Sequence, residues 1–283
     1  MGKEILRDSV SPWPVSVVSR PDPVPEDIAD ALARAGSRLG PFCGRLSWHE
    51  EVPSTNDLAA VMAEHGAVEG SVVAANSQSA GRGRMGRSWA SPAGAGLYVS
   101  AILRPTADVV PLITIAAGVA VADGVHAASG LSPRVKWPND VCVGPRKLAG
   151  ILAEAGSSGH GVQHVILGFG INLLTAAYPP DVAARATSIE SELGRPCDRG
   201  LVLSECLAAL ADRYGALQRG EVGAVTSAWR TRAAESLGRT VEWDADGVTR
   251  RGIAQDIDSH GALLVRVDGN VVCVISGEVR WLS

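Results

Sequence analysis

Lysine is scarce in this chain: only Lys3, Lys136 and Lys147 occur, against 23 arginines. Arginine serves almost wherever a surface cation will do, so a retained lysine marks a place that wants a compact point charge. Two of the three stand within twelve positions of each other, in KWPND and KLAGIL. Cysteine offers no framework. The five (Cys43, Cys142, Cys197, Cys206, Cys273) are odd in number and never spaced C-x-x-C. That argues against a disulfide scaffold or a zinc site and leaves them as small core residues. No run of 18 apolar residues free of charge occurs, and the first residues mix acids with bases. Neither a membrane span nor a signal peptide is expected, and a cytoplasmic location is. The formal net charge of −4 excludes a whole-protein attraction to nucleic acid or an anionic membrane, so any anion must be met locally.

What is present is concentrated in residues 76–89, NSQSAGRGRMGRSW, where three arginines and three glycines share seven positions. Arg82, Arg84 and Arg87 offer planar, always-charged forks for carboxylate or phosphate oxygens, and Gly81, Gly83 and Gly86 let the backbone come close to a ligand. The loop is therefore expected to be mobile when empty, three like charges repelling until an anion arrives. It also spells G-x-G-x-x-G, but no helix opens at the third glycine, no acidic residue follows about 20 positions later, and no G-x-x-x-x-G-K-[ST] occurs. A dinucleotide fold and a Walker loop are both excluded; a solvated basic loop is the bland alternative.

At 283 residues with 46% hydrophobic content, the chain has room for one large and one small domain. Residues 1–25 hold five prolines and read as an extended lead-in. Helical spacing predicts a helix over 26–39 with Gly40 as its stop, and a strand over 46–52. Ser54 reads equally as the N-cap of a helix over 55–64 or, with Thr55 and Asn56, as part of a polar site on its first turn. Strands are predicted at 72–75 and 97–103, pinning the arginine loop at both ends, and a buried helix at 111–128. Residues 135–137 and 141–143 flank Pro138-Asn139-Asp140, and a strand at 150–154 pairs with 164–172. Two helices, 201–218 and 222–236, close the larger domain, 26–237. From 238 to 283 the texture changes to five short alternating strands with turns at Asp246-Gly247, His260-Gly261 and Asp268-Gly269-Asn270, the pattern of a small barrel. The fold class is α+β.

Ser54-Thr55-Asn56, Gln78, GRGRMGRSW, KWPND, KLAGILAE and GFGINL, in this order and spacing, resemble the biotin protein ligases, also called biotin–[acetyl-CoA-carboxylase] ligases or holocarboxylase synthetases. The resemblance is strong over 54–172 and looser from about 238. It implies a class II aminoacyl-tRNA-synthetase-like mixed sheet flanked by helices, followed by an SH3-like barrel. It implies a ligase that converts biotin and MgATP to biotinyl-5′-AMP and pyrophosphate, and then gives biotin to a lysine of a biotin carboxyl carrier protein domain of the acetyl-CoA, acyl-CoA or pyruvate carboxylase type. Some relatives carry an N-terminal winged helix-turn-helix; with 53 residues before Ser54 and one credible helix among them, a form without it is expected, and no DNA binding.

Carried over by position, Arg84 and Lys147 form the catalytic pair, addressing the biotin carboxylate and the phosphate it attacks. Ser54, Thr55, Asn56, Gln78, Gly81, Arg82, Gly83, Arg84, Lys147, Gly150, Gly168 and Gly170 are the biotin side. Arg87, Trp89, Lys136, Asn139, Asp140 and Asn172 are the ATP and adenylate side, with Asp140 the route to magnesium. Met85 departs from a position often basic in the family, and Phe169 from one often small, where it would crowd the pocket floor. Three rivals remain: a lipoate or octanoate protein ligase, a nucleic-acid-binding module using GRGRMGR, and a biotin sensor without catalysis. The full arginine loop beside KWPND and KLAG favours biotin, and the acidic net charge speaks against nucleic acid.

Overall fold

A computed structural model describes residues 20–158, 161–245 and 247–282. Most of the proline-rich lead-in expected at 1–25, Lys3, and Asp246 of one expected turn lie outside the described residues. Seven strands form the larger sheet: β1 (Leu46–Val52), β2 (Val72–Gln78), β3 (Gly96–Leu103), β4 (Arg134–Lys136), β5 (Asp140–Val143), β6 (Arg146–Ser158) and β7 (Gly161–Asn172). Their order is β1-β2-β3-β7-β6-β5-β4. Only β1 and β2 run parallel; every other pair is antiparallel. A parallel pair needs a crossover, and α2 (Thr55–Glu64) supplies it.

The alternation of side chains along β3 and β7 assigns the two faces. Leu97, Val99, Ala101 and Leu103, with Val165, Leu167, Phe169 and Ile171, enter the main core. Ile102 and Ile166 face the other way, against Ala59 and Ala63 of α2. Phe169 thus packs in the main core and also borders the cavity. The main core is filled by α3 (Ile113–Ser129), which packs on α5 (Arg199–Gln218). By length and composition the stretch Val110–Ser129 could cross a membrane, yet two thirds of it lies buried inside the protein. Gly124 permits the close approach, since a Cβ there would stand 2.5 Å from the Cys206 backbone.

The first helix, α1 (Glu26–Ala35), stops short of the expected residue 39 because Gly36 takes φ 54 and breaks the turn; tight 3-10 turns continue to Phe42. A short helix, α4 (Ile189–Leu193), was not expected; Ser188 caps it by accepting from the Ser191 amide. The last helix is α6 (Val222–Ala233). Two of the five cysteines, Cys43 and Cys273, are exposed, so the reading of all five as core residues is corrected. Cys142 and Cys206 are buried, and burial pushes the Cys142 thiol up to about 11.

The C-terminal strands β8 (Thr240–Ala245), β9 (Val248–Ile257), β10 (Leu263–Val267), β11 (Asn270–Val274) and β12 (Val279–Trp281) make an antiparallel sheet in the order β11-β10-β9-β8-β12. This SH3-like unit docks on the larger one through tryptophan. Trp137 Nε1 donates to Gly261 O at 2.9 Å, and Trp281 Nε1 donates to Trp137 O at 3.2 Å. Arg230 of α6 adds a bond to Asp256 at 2.6 Å. The expected fold class is the one observed.

Candidate active site

Register assembles the site. Lys136 is paired with Asp140, Asp140 with Gly150, Gly150 with Gly170, and Gly170 with Tyr98, one row across β4, β5, β6, β7 and β3. The next row holds Leu152, Gly168 and Ser100. Residues in a row share a face, so motifs far apart in sequence meet on the face that α2 also covers. Over them opens a cavity of about 410 Å³, walled by the first turn of α2, the arginine loop and residues 277–281 of the C-terminal unit. That size suits a small molecule.

Lys147 needs a further device. Counting back from Gly150 by alternation would point Leu148 at the cavity and Lys147 into the core. A bulge at Leu148, opposite Val141 and Cys142, shifts the register, so that Val141 faces Ala149 while Cys142 already faces Lys147. Leu148 is fully buried in the main core, and Lys147 reaches the cavity. Bulges re-aim side chains in this way. The Lys147 backbone is held by Arg185 O at 2.8 Å and the Thr187 amide at 2.9 Å. Its Nζ lies 2.5 Å from Asp140 Oδ1 and 5.3 Å from the centroid of Trp89.

The other end of the cavity is polar and neutral. Ser54 occupies the N-cap position of α2, but its hydroxyl makes no capping bond. Gln78 from β2 serves instead: its Oε1 accepts from the Thr55 amide at 2.8 Å and from Thr55 Oγ1 at 3.1 Å. Gln78 Nε2 donates to Ser91 Oγ at 2.8 Å. Asn56, buried behind Thr55, accepts from Ser100 Oγ at 2.6 Å and donates to Glu154 at 2.6 Å. Of the two readings of Ser54, side-chain capping is not the one realised; Ser54, Thr55 and Asn56 all line the cavity.

The three loop arginines have different fates. Arg82 is held by Glu154 at 2.7 Å and Asp57 at 2.7 Å, and Arg87 by Glu278 of the C-terminal unit at 2.5 Å. Arg84 carries no ion pair among the described residues; its Nη1 donates to Asn139 Oδ1 at 3.2 Å, and burial pushes its pKa down from the ordinary value. Desolvation likewise raises the Asp57 carboxyl, against the pull of Arg82. Two of the three loop charges are thereby paired before any ligand arrives, while Arg87 still bears on Arg84 within the loop. Backbone bonds brace it too: Gly83 N to Arg87 O at 2.7 Å and Trp89 N to Gly81 O at 2.8 Å. Met85 and Gly86 both take positive φ, turning the chain back after Arg84. Met85 is exposed.

Among the sequence-predicted residues, Ser54, Thr55, Asn56, Gln78, Arg82, Gly83, Arg84, Arg87, Trp89, Lys136, Asn139, Asp140, Lys147, Gly150, Gly168 and Gly170 border the one cavity. Two do not. Asn172 is buried and donates to Thr187 O at 2.9 Å, fixing the segment that also braces Lys147. Gly81 lies under Trp89 O and Ser91 Oγ, where a Cβ would stand 2.4 and 2.7 Å away. The three sheet glycines make room for protein as well: a Cβ at Gly168 would meet Asn56 Oδ1 at 2.2 Å, one at Gly170 the Trp89 Nε1 at 2.5 Å, and one at Gly150 the same ring at 3.0 Å. That Trp89 Nε1 is buried without a hydrogen-bond partner. Sequence reasoning missed Asp57, Ser100, Glu154 and the strip from Gly277 to Trp281. Glu154 was visible as the acid ending KLAGILAE; nothing in the sequence brings Glu278 to Arg87.

Residues 48–172 match the Biotin/lipoate A/B protein ligase family, and residues 236–280 match the Biotin protein ligase C terminal domain. The chain is 35% identical over 273 residues to a biotin–[acetyl-CoA-carboxylase] ligase of Mycobacterium tuberculosis, covering 93% of this chain and 97% of that one. A biotin protein ligase from Aquifex aeolicus in complex with biotin and ATP superposes with a TM-score of 0.71 at 26% identity, over 84% of this chain and 99% of that one. A Leishmania major biotin protein ligase in complex with biotinyl-5-AMP gives a TM-score of 0.57 at 25% identity, over 85% and 99%.

Proposed function

The chain belongs to the biotin/lipoate A/B protein ligase family and is a biotin protein ligase. From that premise we propose that it joins biotin to ATP as biotinyl-5′-AMP and then biotinylates a lysine of a biotin carboxyl carrier protein domain. The observation that carries this is the polarity of one cavity: hydroxyls and fixed amides at one end, Arg84, Lys136 and Lys147 at the other. A uncharged polar ring system with a carboxylate tail fits that gradient. The carboxylate oxygen attacks the α-phosphorus, the bond to pyrophosphate breaks, and the mixed anhydride forms. A carrier lysine amine then attacks the acyl carbon, AMP leaves, and the amine loses its proton.

In this reading Ser54, Thr55, Asn56 and Gln78 address the biotin head. Arg84 and Lys147 draw two anions together and stabilise the charge that develops between them. Lys136, Asn139 and Arg87 serve the nucleotide, and Trp89 packs against it. Asn172 and Gly81 support the site from outside it. Magnesium would come with ATP: no group of three or more His, Cys, Asp or Glu able to hold a metal occurs among the described residues. Asp140, on the cavity wall, can offer one oxygen to an ion whose other ligands are phosphates and water. We assign catalysis to residues 26–237 and closure of one wall to 238–283, and place the enzyme in the cytoplasm, where ATP and carboxylases meet.

Incubation with biotin, MgATP and a carrier domain, following pyrophosphate and carrier mass, tests the proposal. Pyrophosphate without a mass gain would leave an adenylating enzyme with another acceptor; neither would leave a biotin sensor. Thermal shifts with biotin and lipoate separate the two acyl groups.

A further inference from the structure

One carboxylate ties the arginine loop to the cavity floor. Glu154, on β6, accepts from Arg82 Nη1 at 2.7 Å and Nη2 at 2.8 Å, and its Oε2 also accepts from Asn56 Nδ2 at 2.6 Å. We propose that Glu154 is a positioning residue for biotin, setting the orientation of Asn56 and seating the loop through Arg82. The proposal rests on the biotin-ligase reading and deepens it.

Donors and acceptors fix the orientation. An ionised carboxylate only accepts, so the Asn56 amide must turn its Nδ2 towards Glu154 and its Oδ1 towards Ser100, which donates at 2.6 Å. Ser100 Oγ also lies 2.7 Å from Thr55 Oγ1, and Thr55 in turn fixes Gln78. Glu154 thus dictates the direction of the Asn56 amide and of the Ser100 hydroxyl, which stands against the Thr55–Gln78 pair. Through both oxygens the same carboxylate holds Arg82, which also meets Asp57 of α2 at 2.7 Å. Two carboxylates occupy this guanidinium. Arg82 is therefore a strut and not an anion receptor, and Arg84, two residues on, is left to meet the ligand. Loop seating and amide orientation become a single event.

The competing account is a half-exposed surface ion pair of little consequence, which Glu154→Gln would not disturb. A glutamine can keep an acceptor for Asn56 only by turning its carbonyl to the Oε2 position, and its NH₂ then faces Arg82 Nη1, so the charged two-oxygen hold on Arg82 is lost. Biotin-dependent pyrophosphate release should show a biotin KM raised about tenfold or more, with the single-turnover rate at saturating biotin within about threefold of the parent. Arg82→Ala should move KM the same way, and the combined variant should be little worse than the more affected single one, the signature of a shared unit. Arg82→Ala carries the test by itself if Glu154→Gln does not fold, as judged by thermal melting. A Glu154→Gln or Arg82→Ala KM within about twofold of the parent, or effects that add, would overturn the role. A parent enzyme that released no pyrophosphate with biotin would overturn the ligase reading and this role with it; an active parent with indifferent variants overturns the role alone.

Discussion

Adding one methyl group at Gly168 should unsettle the protein far more than adding one at Gly170, although both glycines sit on the same face of β7. At Gly168 the new Cβ would stand 2.2 Å from Asn56 Oδ1 and 3.0 Å from Asn56 Cγ, where 3.4 Å is ordinary contact. Asn56 is only 4% exposed and cannot retreat, being fixed by Ser100 on one side and Glu154 on the other. Relief requires breaking at least one of these bonds, at about 1 kcal/mol, and leaving a buried polar atom unpaired, at roughly 1–3 kcal/mol. The sum is about 3 kcal/mol, or roughly 5–10 °C in Tm for a domain of this size. At Gly170 the Cβ would meet Trp89 Nε1 at 2.5 Å, but that indole belongs to a half-buried side chain on a loop, and its Nε1 makes no bond to lose. Swinging the ring aside should cost about 1 kcal/mol. Differential scanning fluorimetry with urea titration compares the two. Gly170→Ala should nonetheless weaken adenylate binding, and Trp89→Ala should erase its stability cost. A Gly168→Ala protein as stable as the parent, or one more stable than Gly170→Ala, would refute the packing argument.

Lys147→Arg should keep the charge and still lose adenylate formation, since a guanidinium is too broad to sit where the ammonium lies beside Asp140; Lys147→Gln should lose about 3 kcal/mol of transition-state stabilisation, with little effect on folding. Single-turnover pyrophosphate release checks both, and a Lys147→Arg rate within about threefold of the parent sinks the assignment. In the empty enzyme the bonded amides of Gly83, Arg87 and Trp89 should exchange more slowly than their loop neighbours, and biotin should extend protection across residues 81–87; identical exchange with and without saturating biotin argues against a ligand-ordered loop. Removing residues 238–283 should impair turnover by taking away the wall that holds Glu278, whereas Glu278→Gln alone should do little, because both partners of its ion pair are more than a third exposed. A truncated protein that folds and works at the full rate would give that unit no part. Burial lowers the pKa of His164 from 6.5, so the unfolded chain takes up the proton first: stability is full above pH 6.5 and falls as pH drops from there through the depressed folded value. His164→Gln should flatten part of that slope in urea melts at pH 5 and 7.5, His49 contributing the rest in the same direction.

Much of this protein is legible along the chain. Period-two and period-3.6 apolar spacing is a local property, and it placed 46–52, 55–64 and 97–103 within a residue of the strands and helix observed. The motifs named the residues that border the cavity, because anion chemistry needs arginine, lysine and glycine whatever surrounds them. Direction and pairing were decided only by the tertiary structure. Lys147 faces the cavity through a bulge at Leu148 in its own strand, which strict alternation cannot reveal. Asn172 belongs to a matching motif yet turns away to Thr187. The three arginines look alike in sequence, but Asp57, Glu154 and Glu278 take two of them and leave Arg84. Those acids lie 25, 72 and 191 positions from their partners. Contacts of that separation are fixed by how whole elements pack, since a side chain's partner depends on the sheet order and docking that bring distant backbone together, and no local pattern encodes either.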